Sequence, residues 1–289
     1  MSNKEIDELS GTETTGHEWD GIKELNTPLP RWWLWTFYAC IVWAIGYAIA
    51  YPAIPLINGA TAGVLGYSSR ANFATQVANA QDAQAVYLTR IADADVNAIA
   101  ADDELARFAR AGGKSAFKVY CSQCHGSGAQ GAVGFPNLND DEWIWGGSLD
   151  AIYTTIAHGV RYNGDDDTRI NEMPAFGADE LLTGDDIKAV ANYVVSLSGG
   201  EADATLASAG QQLFTDNCAA CHGEQGEGMP DLGGPALNNQ IWLYKGGIEA
   251  VTAQINKPQH GVMPAWSAKL GDATVKQLAV YVHSLGGGQ

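Results

Sequence analysis

Basic residues are scarce in this chain: 16 Lys and Arg stand against 33 Asp and Glu in 289 residues, a net charge of −17. That surplus repels phosphate, which excludes nucleic acid as the main partner and favours a basic protein partner or plain solubility. Charge of either sign is missing from Trp32 to Ser69. Methionine is rare as well, with only Met173, Met229 and Met263 after the first residue. The cysteine count of five is odd, and four of the five fall in two identical spacings. A hydrophobic content of 46% is enough for packed cores and excludes a disordered chain. The length allows two domains of ordinary size.

The uncharged stretch is densest from Trp32 to Tyr51, W-W-L-W-T-F-Y-A-C-I-V-W-A-I-G-Y-A-I-A-Y. At about 1.5 Å per residue such a helix spans roughly 30 Å, the thickness of a hydrocarbon core. Trp32, Trp33, Trp35 and Tyr38 mark one interface, and Tyr47 and Tyr51 the other. Pro52 and Pro55 follow, where a helix stops. The stretch begins too late and runs too long for a cleaved signal peptide, so it reads as an anchor over 32–54. Lys4, Lys23 and Arg31 precede it and Arg70 is the first basic residue beyond, so residues 1–31 are expected in the cytoplasm and the rest outside. Cys40, inside the anchor, reads as a small apolar filler.

Beyond a connector at 55–104, the sequence repeats itself. Cys121-S-Q-Cys124-His125 returns as Cys218-A-A-Cys221-His222, and F-P-N-L-N around Pro136 as G-P-A-L-N around Pro235. Met173-P-A-Phe176 returns as Met263-P-A-Trp266, and the helical pattern from Ile187 to Leu197 as that from Val275 to Leu285. This is one duplication, with expected units 105–200 and 203–289, each a small all-α domain.

C-x-x-C-H is the attachment signature of haem c. Two thiols add to the porphyrin vinyl groups, and the adjoining histidine reaches the iron. A zinc site or a redox disulfide would need further ligands or a βαβ setting. Cys121, Cys124, Cys218 and Cys221 are therefore expected to hold two covalent haems c, with His125 and His222 on the iron. A sulfur ligand opposite would suit an electron carrier. Met173, the one methionine between residues 54 and 200, is the candidate for the first unit's haem, and Met263, which shares its M-P-A-aromatic setting, is the candidate for the second unit's, with Met229, His158 and His260 as rival donors. A carbonyl near Pro136 and one near Pro235 are expected to orient the two imidazoles.

The segment from His17 to Tyr38, H-E-W-D-G-I-K-E-L-N-T-P-L-P-R-W-W-L-W-T-F-Y, leads straight into the anchor. With the two haem repeats it resembles the dihaem cytochrome c subunit, subunit III, of cbb3-type cytochrome c oxidases, over nearly the whole chain. The resemblance implies an all-α chain with one N-terminal transmembrane helix followed by two tandem class I cytochrome c domains. It implies His125, Met173, His222 and Met263 as axial ligands, and a place in the bacterial inner membrane with the haem domains in the periplasm. The expected partners are the catalytic haem–copper subunit, a monohaem cytochrome c subunit and a donor cytochrome c. The sequence offers no histidine cluster for copper, so oxygen reduction and proton translocation are expected in partner subunits and this chain is expected to carry electrons only. Two other readings are an anchored dihaem cytochrome serving another respiratory enzyme, and a gas-binding haem protein, which would need an open sixth position. Asp140, Asp141 and Glu142, and Asp165, Asp166 and Asp167, are the densest acidic groups and candidate docking points for a basic cytochrome.

Overall fold

Asp20 and Gly21 both adopt left-handed backbone, φ 49° and 83°, the conformation that joins two strands in the tightest right-twisted hairpin. They connect β1 (Thr14–Trp19) to β2 (Ile22–Leu25), paired antiparallel with Trp19 opposite Ile22. The computed structural model describes residues 5–286, which form two units divided between Gln81 and Asp82.

In the first unit, α1 (Arg31–Ala50) is apolar on every side and has no buried residue. It is the one helix among the described residues long and apolar enough to cross a membrane, with a mean hydropathy of 1.5. It ends four residues earlier than the expected span because Tyr51, which precedes Pro52, turns to extended backbone at φ −120°, ψ 162°. Trp33 stacks on Phe37 and Tyr47 on Tyr51, with ring centres 5.3 and 4.9 Å apart. A small hairpin, β3 (Pro55–Leu56) with β4 (Gly59–Ala60), precedes α2 (Ser69–Asp93), whose last turns belong to the second unit. These two hairpins are the only sheets among the described residues, so the chain is mostly helical.

The second unit is helical, and several of its helices start behind a capping side chain. Asp95 accepts from the Ala98 N–H at the start of α3 (Val96–Ala101), and Asp102 does the same for Glu104 and Leu105 at α4 (Asp103–Tyr120). One-turn α5 (Ser122–His125) follows, then α6 (Leu149–His158) behind Ser148 and α7 (Gly184–Leu197) behind a reciprocal Thr183–Asp186 cap. The second half repeats the order: α8 (Ala204–Asn217), α9 (Ala219–His222), α10 (Ile248–Asn256), α11 (Ser267–Leu270) and α12 (Asp272–His283).

The two repeats exchange their C-terminal helices. The first core joins α4 and α6 to α12, with Phe117, Ile152 and Ile156 against Val275, Leu278 and Val282. The second joins α7, α8 and α10, with Val190 and Val194 against Phe214, Val251 and Ile255. Each main crossing passes over a glycine. A Cβ on Gly113 of α4 would lie 2.2 Å from the Gln277 carbonyl of α12, and one on Gly210 of α8 would lie 2.1 Å from the Ala189 carbonyl of α7. An aromatic pair seals each crossing, Phe117 with Tyr281 at 5.5 Å and Tyr193 with Phe214 at 5.2 Å.

Every member of the second core lies between Met173 and Ile255, while the first core is drawn from Tyr87–Ala157 and Met263–Leu285. One core is thus nested in the sequence of the other, and inside it the C-terminal helix of the first repeat precedes the N-terminal helix of the second. The sequence units 105–200 and 203–289 and the packing units therefore differ. The connector also contributes to packing: Ile91, Val96 and Ile99 are buried in the first core.

Candidate haem sites

Both cysteine motifs close as single helical turns. The His125 N–H donates to the Cys121 carbonyl at 2.9 Å and the His222 N–H to that of Cys218 at 3.0 Å. Residues one turn apart share a helix face, and the three functional side chains of each motif line one cavity. The His125 Nδ1 lies 3.0 Å from the Pro136 carbonyl, and the His222 Nδ1 lies 2.9 Å from that of Pro235. With Nδ1 donating to a carbonyl, each ring turns Nε2 free for a metal. Burial pushes both imidazoles below the ordinary histidine range, against the pull of the proline carbonyls. This favours the neutral ring that ligation requires. Burial, with the neighbouring cysteine, also pushes the Cys121 and Cys218 thiols up to about 11. All five cysteines are free, so no disulfide competes for the motif sulfurs.

The cavity has a volume of about 690 Å³ and is continuous over both motifs. Its walls are mostly apolar, including Trp143 and Trp242 at matching places in the two repeats, and both Met173 and Met263 line it. This donor set fits haem c: paired thiols, an oriented neutral imidazole and a thioether in an apolar cleft.

The structure separates the methionines in an order the repeats alone do not suggest. Met263 packs on the first core with Phe117 and Cys121, and Met173 packs on the second with Phe214 and Cys218. Backbone bonds fix both. Met263 and Val160, just after α6, exchange hydrogen bonds at 2.9 and 3.0 Å, and the Trp266 N–H donates to the Ile156 carbonyl at 3.1 Å. After Met173, the Gly177 and Ala178 N–H groups donate to the Asn256 carbonyl at the end of α10, at 3.2 and 2.9 Å.

The rival donors differ in setting. Met229 is 37% exposed and its backbone bridges to Gly234. The His158 Nδ1 lies 3.1 Å from Asp165; with Asp167 these form a surface group of ligating type, clear of the cavity lining. His260 lines the cavity, with Nδ1 3.9 Å from Glu172. Of the acidic clusters, Asp165 is tied to His158, and Glu142 accepts from Asn239 at 2.6 Å. Burial and the adjacent Asp140 and Asp141 raise the Glu142 carboxyl. One functional candidate escaped the motif reading. Arg161 lines the cavity, and it and Arg169 are the only basic residues between Lys118 and Lys188, which was the signal available.

Covalent haem sites of this construction on short helices define a c-type cytochrome, here carried behind an apolar helix. Residues 11–58 match the family described as N-terminal domain of cytochrome oxidase-cbb3, FixP. Residues 109–194 and 205–282 each match the family described as cytochrome c oxidase, cbb3-type, subunit III. The Cbb3-type cytochrome c oxidase subunit FixPc of Rhizobium leguminosarum bv. viciae is 57% identical over 288 residues, covering 100% of both chains. The subunit FixP of Rhizobium meliloti (strain 1021) is 56% identical over 99% of both chains. The subunit CcoP of Cereibacter sphaeroides is 51% identical over 96% of this chain and 95% of its own. The chain belongs to the FixP/CcoP family, subunit III of cbb3-type cytochrome c oxidase. It is an electron-transfer subunit of that oxidase, and its apolar helix fits membrane anchoring.

Proposed function

We propose that the chain carries two covalent haems c, one on Cys121 and Cys124 between His125 and Met263, the other on Cys218 and Cys221 between His222 and Met173. The observation that carries this pairing is the nested packing, in which each M-P-A segment is bonded to the core holding the other repeat's cysteines. A bound haem supplies a one-electron couple. The chain's residues hold the imidazole through Pro136 or Pro235, present a thioether and keep water from an apolar cleft, so that little rearranges between oxidation states. The role is then non-catalytic conduction from a donor cytochrome c towards the oxygen-reducing, proton-translocating haem–copper subunit, beside a monohaem cytochrome subunit. The basic residues before α1 support a cytoplasmic N-terminus and periplasmic haem domains in a bacterial inner membrane. Thirteen basic against 26 acidic residues after position 53 support a basic donor.

The test uses a chain whose second site is emptied by Cys218→Ala and Cys221→Ala. In that background Met263→Ala should abolish the methionine–iron charge-transfer band of the remaining haem, and Met173→Ala should leave it. The reverse outcome would mean that each repeat ligates its own haem.

A further inference from the structure

The cavity wall carries one guanidinium, and its backbone is strained. Arg161 has φ 51°, a left-handed conformation that costs a non-glycine residue about 1–2 kcal/mol. Such strain persists where surrounding structure holds it, commonly at functional sites. The half-buried side chain makes two bonds that account for its position. Nε donates to the Gly261 carbonyl at 2.8 Å, and Nη1 donates to the Asn171 carbonyl at 2.9 Å. Asn171 leads into Met173 and Gly261 into Met263, so Arg161 clasps the two segments where one core enters and leaves the other. Nη2 has no partner. Burial lowers the Arg161 pKa, with Glu172 and Tyr244 acting against it.

Arg169 stands beside it, joined through the Arg161 N–H, which donates to the Arg169 carbonyl at 2.6 Å. Its guanidinium lies 5.3 Å above the ring of Trp145, another wall residue, and Nη2 donates to the Ala151 carbonyl at 3.2 Å. Its Nε is buried with no hydrogen-bond partner among the described residues, an arrangement that costs about 1–3 kcal/mol unless an acceptor arrives. Neither arginine is hydrogen-bonded to a carboxylate in this strongly acidic chain; Glu172 and Asp231 act on them only through space. A partly buried cation on the wall of an apolar cleft, with a second beside it, calls for an anion there. The porphyrin that the cysteines attach carries two propionates.

We propose that Arg161, backed by Arg169 over Trp145, binds a haem propionate, so that one residue fixes both the haem edge and the crossing of the two methionine segments. This rests on the haem assignment above. Arg161 is a positioning residue, and its charge also favours the reduced, less positive haem, which raises that haem's potential.

The experiment compares the full-length haem-loaded protein with Arg161→Gln and Arg161→Lys. Haem content, the methionine charge-transfer band, midpoint potentials and the propionate-bending band in resonance Raman are read on each. The glutamine variant should keep two haems and lower one midpoint by the equivalent of about tenfold in the redox equilibrium, about 59 mV for one electron. The lysine variant should hold most of that potential yet shift the propionate band, because it keeps the charge and loses the fork. Two bound haems with parental potentials and a parental propionate band in both variants would overturn the proposal. If the glutamine variant loses methionine ligation, the lysine variant decides alone, and an unchanged propionate band there would reduce Arg161 to a clasp. Absence of covalent haem from the unaltered protein would instead sink the haem assignment itself.

Discussion

The two cores use equivalent helices, equivalent glycine crossings and equivalent aromatic pairs, yet they close over very different lengths of chain. In the second, α7 meets α8 across the six residues between Leu197 and Ala204. In the first, α4 must find α12, more than 150 residues further along. Closing a loop costs roughly (3/2)RT ln n, so the second core has the smaller entropic debt and the more local contacts. The first compensates with extra surface, adding Ile91, Val96 and Ile99 and the stacked Tyr87–Phe108 pair, whose ring centres are 4.7 Å apart. The difference teaches that two related sequence repeats can pack as one core formed from a continuous stretch of chain and one core interrupted by it.

Truncation is the strongest way to break this comparison. A chain ending at residue 258 keeps every element of the second core and loses α12 and Met263. It should retain one methionine-ligated haem on Cys218 and Cys221 and leave the Cys121 site without one. A chain ending at residue 200 should hold neither. Absorption of the methionine–iron band, with protease mapping, separates these cases; a methionine-ligated haem in the shorter chain would restore self-contained repeats.

Single core substitutions sharpen it. Phe117 and Phe214 are 1% and 0% exposed. Phe→Ala at either should cost about 3–5 kcal/mol, and the loss should fall on one core only. Denaturant melts followed separately at the two haems should show Phe214→Ala weakening the Met173 site and Phe117→Ala the Met263 site. Equal loss at both would mean that the cores unfold as one.

The smallest effect concerns a bond particular to the first core. The Tyr153 hydroxyl of α6 donates to the Asp272 carboxylate of α12 at 2.6 Å, and this pushes the Tyr153 pKa up to about 12. Burial raises the Asp272 carboxyl, but hydrogen bonds from Lys276 and Tyr153 and the Lys276 charge outweigh it and hold the group below its ordinary value. A carboxyl lowered on folding stabilises the protein above its unfolded pKa of about 3.9, and that contribution fades as pH falls through the lower folded value. Tyr153→Phe should therefore cost about 0.5–1 kcal/mol near neutral pH, since the pair is partly exposed. The difference from the parent should shrink below about pH 4; one that grew as the acid increased would remove the bond from the account.

Much of the site was legible one residue at a time. Cys121, Cys124 and His125 lie within a single helical turn and carry their chemistry in their spacing, as do their counterparts at 218–222. Charge missing from Trp32 to Ser69 marked the anchor, and Pro52 its end. Pro136 and Pro235 marked the carbonyls that orient the imidazoles. The buried role of Ile91 and Ile99 was not legible, because the polar, alanine-rich stretch around them has no repeat and little periodicity. Arg161 was not legible either, since neither its strained backbone nor its reach to Gly261 leaves a local trace.

The sequence by itself determined the apolar helix, the duplication, the two C-x-x-C-H motifs and most of the helices, all of which depend on neighbours within a turn or two. Only the tertiary structure decided which core each methionine packs on. Each repeat supplies an N-terminal and a C-terminal helix with matching apolar faces, so α7 fits α4 and α8 about equally well on pattern alone. The six-residue link places α8 beside α7 at little entropic cost. Once α7 is covered by α8, the face of α4 remains for α12, and Met173 and Met263 follow their helices to opposite cores.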